Sequence, residues 1–192
     1  MERRTVCKNG IEIFDYKNPN IHGFFVSLFL RAGCMYESDS ERGITHFLEH
    51  ILVRNVNKLS DMNLYRTLDR CAMNFNASTY SEMVQFYVSG ASRHFGKGIE
   101  ILDKLFSPIA LTKGEVDAER RRIKAEIREN DDKSSLSAFS SERVFSGTSL
   151  AFSITGTNKS VDSISAKRLE EYRKRVFTKG WTGLRETGLP KG

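Results

Sequence analysis

The stretch Gly43 to Leu52, GITHFLEHIL, decides how the rest of the chain is read. Placed on a helix at about 100° per residue, Ile44, Phe47, Leu48, Ile51 and Leu52 gather on one stripe. His46 and His50 fall one turn apart on the opposite side. A solitary histidine is most often a surface residue or a satisfied core residue. Two imidazoles at i and i+4, on a face the apolar stripe does not claim, can bind one ion. Glu49 projects from the same half of the helix and is free to act on water instead of binding metal.

Zinc needs a third protein ligand and an open position. The candidates lie in EVDAERRRIKAEIREN, residues 115–130. Val116, Ile123 and Ile127 form the buried stripe of that predicted helix. Glu119 and Glu126, seven apart, stack two turns from each other at its edge, where they can point into a cleft between packed helices. Glu115 and Glu129 rotate toward solvent. A glutamate on such a helix is ordinarily part of a solvated face. The histidine pair is what singles out Glu126, with Glu119 behind it.

The remainder reads as one large domain or two small ones, long enough to bury a core. Apolar residues are 39% of the 192 and charged residues 28%, ordinary for a globular protein. The N-terminal MERRTVCKNG has no apolar run behind it and does not read as a signal peptide. FFVSLFL, residues 24–30, is too short to cross a bilayer, so no membrane association is expected. Cys7, Cys34 and Cys71 are odd in number and without CxxC spacing, which suits reduced thiols and a cytoplasmic location. The net charge of +6 does not imply nucleic acid, because basic residues alternate with acidic ones along the helical segments.

Organisation follows from local pattern. TVCKNGIEIF is a hairpin around Asn9-Gly10. Phe24 to Ala32 is a strand apolar on both faces, expected at the centre of a covered sheet. SDMNLYRTLDRC is a helix with Ser60 as its N-cap. MNFNASTY and EMVQFYVSG are strands, the first of them polar. HFGKGIEILDKLFSP is helical up to Pro108, residues 113–130 form a strong helix, and LSAFSSERVFSG a weaker one. A Gly/Ser/Thr-rich loop then precedes a last helix, near Ser165 to Phe177. The tail TKGWTGLRETGLPKG has no apolar period and reads as irregular.

These residues carry a resemblance. HFLEH is an HxxEH motif, the reverse of the HExxH order, which marks the inverzincins. The chain resembles the N-terminal half of peptidase family M16, the group of pitrilysin, insulin-degrading enzyme and mitochondrial processing peptidase. LRAGCMYESDSERGITHFLEHIL resembles the family's strand, acidic loop and helix. MNFNASTYSEMVQFYVSG resembles its Asn-Ala-x-Thr edge strand and the strand after it. EVDAERRRIKAEIREN resembles the helix bearing the distal glutamate, and GTNKSVDSISAKRLEEYRKRVF its Gly-Thr loop and following helix. Coverage runs roughly from Thr5 to Phe177.

The resemblance implies an α+β fold, a mixed, largely antiparallel sheet with helices packed on one face. It implies a domain over residues 1–178 and a non-matching tail over 179–192 that leaves the sheet incomplete, with apolar surface uncovered. His46, His50 and Glu126 would bind Zn2+, Glu49 would be the general base toward water, and Glu119 an acid supporting the ligand helix. Asn76, Ala77 and Thr79 would lie on an edge strand to which a peptide substrate adds as a further strand. The implied activity is that of a zinc-dependent endopeptidase, or a peptide-processing subunit, acting on unfolded or short peptides. The alternative is a non-catalytic structural or regulatory subunit of the same fold. Family members have a second homologous half supplying an Arg and a Tyr, so a homodimer or a second M16-like subunit is the expected partner. ILVRNVNKLS, after His50, lacks the family's usual Phe-x-Gly-Thr, so the helix exit is expected to differ.

Overall fold

Phe24, Val26, Leu28 and Leu30 project to one face of strand β3 (Gly23–Leu30) and are buried. Their cross-strand partners in β5 (Val84–Ala91) are equally buried: Val26 faces Val88, Leu28 faces Phe86 and Leu30 faces Val84. Each such side chain contributes about 1.5–3 kcal/mol when fully removed from water. The computed structural model describes residues 2–8, 10–60, 63–130, 136–179 and 182–187. The odd-numbered Phe25 and Phe29 are only half-buried, and Phe25 stacks on Tyr87 with ring centroids 5.2 Å apart. Ser27 between them is fully buried, so the strand is covered on both faces, less completely on the one that carries Phe25 and Phe29.

Among the described residues, six strands form the sheet, in the order β1 (Glu2–Val6), β2 (Glu12–Tyr16), β6 (Thr182–Thr187), β3, β5 and β4 (Asn74–Thr79). Neighbours are antiparallel except β2 and β6. The tail, expected to be irregular and to leave a gap, thus supplies a central strand over Thr182–Thr187. The reason is pairing. Glu12–Tyr16 ladders one side of β6 and Phe25–Leu30 the other, so backbone hydrogen bonding places a segment without apolar alternation. The β1–β2 hairpin forms as expected, with Gly10 at φ 84 and the Cys7 N–H donating to the Ile11 carbonyl at 2.7 Å. Asn9 lies outside the described residues.

Seven helices are described: α1 (Ile44–Lys58), α2 (Leu64–Cys71), α3 (Phe95–Asp103), α4 (Lys113–Asn130), α5 (Leu136–Val144), α6 (Asn158–Ser163) and α7 (Ala166–Lys179). In α1, Ile44, Phe47, Leu48, Ile51, Leu52 and Val56 are buried, the expected stripe. The helix begins on Glu37, whose buried carboxylate accepts the N–H groups of Gly43 at 2.8 Å and Thr45 at 2.9 Å. A carboxylate there satisfies donors the helix cannot and complements its dipole. The cap of α2 differs from expectation. Asn63, immediately before the first helical residue, accepts the Tyr65 N–H at 3.0 Å, whereas the Ser60 hydroxyl donates to the Val56 carbonyl at the end of α1. Among the described residues, no helix is long and apolar enough to cross a membrane.

Candidate metal centre

On α1 the residues His46, His50, Arg54 and Lys58 recur every fourth position and so share one stripe. That stripe faces Glu126, Glu119 and Glu115 of α4, met in descending order, so the two helices run antiparallel. Val116 and Ile123 hold α4 on the core, as the sequence predicts, while Ile127 is partly buried at its margin. Glu119 emerges at the boundary with 5% exposure.

The upper rungs of this zipper are ligand-like. Glu126 Oε2 lies 3.7 Å from His46 Nε2 and 3.4 Å from His50 Nε2. One donor atom from each of the three residues falls within 4.8 Å of the others. Donors around a tetrahedral zinc, at about 2.0–2.1 Å each, stand about 3.3–3.4 Å apart. The His50–Glu126 contact matches that spacing and the His46–Glu126 contact is about 0.3 Å longer, and two imidazoles with a carboxylate are a donor set zinc accepts. The residues present therefore fit the group. The histidine side chains are 13% and 12% exposed, shielded by α4. Burial, followed by the neighbouring His50, pushes His46 down to about 4, so at neutral pH it is the unprotonated form a metal requires.

The groups around this centre differ in their support. His50 Nδ1 faces Glu119 Oε2 at 3.4 Å, which leaves Nε2 for the centre. His46 Nδ1 is buried with no hydrogen-bond partner among the described residues. Glu119 is held below the usual carboxylate range, first by its hydrogen bond with His50 and then, against the cost of burial, by Arg54. Arg54 was not singled out by the sequence; its one signal is its place, four residues after His50.

Glu49 stands outside the donor cluster. Its Oε2 accepts a short hydrogen bond from the Thr79 hydroxyl. Burial raises its pKa, and Thr79 opposes that rise. A carboxylate so placed can take a proton more readily than one in water. The structure thus brings Thr79 to the site through Glu49. Asn76 and Ala77 line the same cleft on β4, which among the described residues pairs only with β5 and is a sheet edge. The Ala77 N–H is taken by the Asn76 side-chain oxygen at 2.9 Å, not by a second strand.

Two hollows meet at Glu49. One, of about 660 Å³, runs past Val53, Tyr65 and Phe75 toward the Lys58–Glu115 pair. The other, of about 520 Å³, lies between β4 and Ser153, Ile154 and Thr155. The sequence did not predict this last wall. It is fixed by contact between Gly156 (φ 73) and Gly43 (φ 82), residues whose backbones approach too closely for side chains.

A family model described as Insulinase (Peptidase family M16) matches residues 16–158. The chain is 24% identical over 180 residues to the uncharacterized zinc protease YmxG of Bacillus subtilis, covering 93% of this chain and 44% of that protein. It is 28% identical over 170 residues to the mitochondrial-processing peptidase subunit beta of Rattus norvegicus, covering 88% of this chain and 35% of that one. A crystal structure of a peptidase M16 inactive domain from Pseudomonas fluorescens superposes with a TM-score of 0.88 at 12% identity, covering all of this chain and 47% of that chain. The chain therefore spans less than half the length of these proteins.

Proposed function

The chain belongs to the insulinase family, peptidase family M16, and on that premise we propose that it is the metal-bearing half of a zinc endopeptidase acting on unfolded or short peptides. The observation that carries this reading is the convergence of His46, His50 and Glu126 with Glu49 beside them but outside the cluster. A domain called inactive has the same fold, so the fold alone does not decide the matter; the set of groups gathered here is what supports the reading.

In this reading His46, His50 and Glu126 hold zinc. Zinc, when bound, supplies Lewis acidity toward water and the scissile carbonyl. Glu49 takes the proton from the attacking water and returns it to the leaving amine, steadied by the Thr79 hydroxyl. Glu119 supports His50. The β4 edge aligns the peptide as an added strand, with Asn76 and Ala77 contributing polar backbone contacts in place of their present mutual bond. A folded substrate cannot offer a free strand, hence the preference for unfolded or short peptides. A second M16-like half or a second copy is the partner, and the three free cysteines suit a cytoplasmic setting.

The test measures zinc content and cleavage of an unstructured peptide, with the expected partner half present. His46→Ala and Glu126→Gln should lose zinc. Glu49→Gln should keep it and lose about 10²–10⁴ in rate. Loss of zinc in Glu49→Gln as severe as in His46→Ala would remove Glu49 from the role of base. Zinc binding without any Glu49-dependent cleavage would favour a non-catalytic subunit.

A further inference from the structure

His50 is flanked by two glutamates of identical chemistry. Glu119 Oε2 stands 3.4 Å from Nδ1 and Glu126 Oε2 stands 3.4 Å from Nε2. What separates them is the cation each one has. The other oxygen of Glu119 receives Arg54 at 2.6 Å, in a position where Glu119 is almost wholly buried. Among the described residues, the one arginine or lysine that Glu126 meets is Arg122, at 3.7 Å, and that side chain is 68% exposed. Arg54 lies one turn beyond His50 on the same helix, so one rigid element carries both the imidazole and the cation.

The geometry points to Arg54 as a positioning residue of the metal centre: by gripping Glu119 it keeps that carboxylate on Nδ1 of His50, leaving Nε2 and Glu126 free to converge on the metal. This rests on the zinc reading above. The physical argument is compensation. A buried carboxylate without a partner is costly, and it relieves the cost by turning toward solvent or toward the nearest cation. With Arg54 gone, the cations left to it are a bound metal and the Lys58 and Arg122 side chains that line the same hollow. His50 would lose its acceptor, its ring would be free to rotate, and Glu119 would compete with Glu126. The plain alternative is that Arg54–Glu119 only ties α1 to α4. The Lys58–Glu115 pair one turn on, at 2.7 Å, does that and has no contact with the histidines. It is therefore an internal control.

Zinc affinity of the full chain is measured by competition with a chromophoric chelator, and the tautomer of His50 by nitrogen-15 NMR of the metal-free protein. Arg54→Met should weaken zinc binding about tenfold, in the range typical of partners behind a metal ligand. Arg54→Lys should stay within about threefold of the wild type, and Lys58→Met should leave affinity unchanged. In a Glu119→Gln background, adding Arg54→Met should change affinity less than about twofold, because the two act as one unit. The NMR spectrum should show His50 protonated at Nδ1 in the wild type and a mixture of tautomers in Arg54→Met. Should Arg54→Met not fold, Arg54→Gln carries the same expectation. Unchanged affinity in the Arg54 variants, or full additivity with Glu119→Gln, overturns the inference while the zinc reading stands. Failure of the wild type to bind zinc overturns that reading, and this inference with it.

Discussion

Gly43 sets the position of His46 from three residues away. With φ at 82 it occupies the left-handed region, and a Cβ there would lie 2.6 Å from the Thr155 carbonyl oxygen and 2.8 Å from the Gly156 Cα. Gly43→Ala should therefore cost about 2–4 kcal/mol, the backbone strain and the overpacking adding. The drop is read from the denaturant midpoint, with the slope unchanged. At this scale the sequence was most informative about types and spacing. Two histidines and two glutamates declared themselves because helical periodicity puts each pair on one face. Arg54 did not, because a lone arginine four residues past a histidine is what any exposed helix face contains. Its role exists only once α4 brings Glu119 opposite.

At the scale of elements, α7 is anchored by a charge that faces inward. Arg173, 7% exposed, donates to both oxygens of Glu170 at 2.8 Å and to the Phe106 carbonyl at 3.1 Å, and Glu170 also accepts the Ile109 N–H at 3.3 Å. The bond from Arg173, more than burial opposes it, holds Glu170 below the usual carboxylate range. The folded state thus prefers the ionised form more than the unfolded chain does. The contribution is present above the unfolded pKa of about 4.3 and is lost as pH falls through the lower folded value. Denaturation near pH 7 should find Glu170→Gln less stable than wild type by about 2 kcal/mol, and the gap should narrow steadily below about pH 4. Helices were legible wherever an apolar stripe was long, as in α1 and α4. Ser60 and Asn63 are both capping types, and only the observed helix start chooses between them. The short α6 was hidden in a Gly/Ser/Thr-rich stretch, where Thr157 and Ser160 form a capping box that composition alone reads as loop. The strand β6 was unreadable for a different reason: its place is dictated by neighbours distant in sequence, not by its own pattern.

For the whole molecule, β6 fills the gap expected in the sheet, and the open cleft is a reason to expect association. Among the described residues, the cleft beside His46, His50 and Glu126 has α1, α4, β4 and the 153–155 segment as walls and is open opposite them. The zinc-loaded chain alone should therefore be a poor peptidase, since nothing among the described residues excludes water from the reacting groups or adds donors to the developing charge. Each such donor is typically worth about 10²–10³ in rate. Cleavage of an unstructured peptide should rise by at least that factor when a second M16-like half is supplied, with a matching increase in mass in solution. Brisk turnover by a monomer would show that the chain's own walls suffice.

The position of β6 also sets an order of events. Among the described strands, the β1–β2 hairpin reaches the rest of the sheet only through β6, where Glu12 meets Gly183. During synthesis β1 and β2 must wait for β6, on the order of ten seconds at ribosomal speeds. Closing so long a loop also raises the contact order and slows the final step. A waiting hairpin is an open edge that invites mispairing with other chains. Its sequence is suited to the interval: Arg3 pairs with Asp15 at 3.1 Å and Arg4 with Glu12 at 2.8 Å, so the hairpin carries its own cross-strand ties and a charged outer strand until its partner emerges.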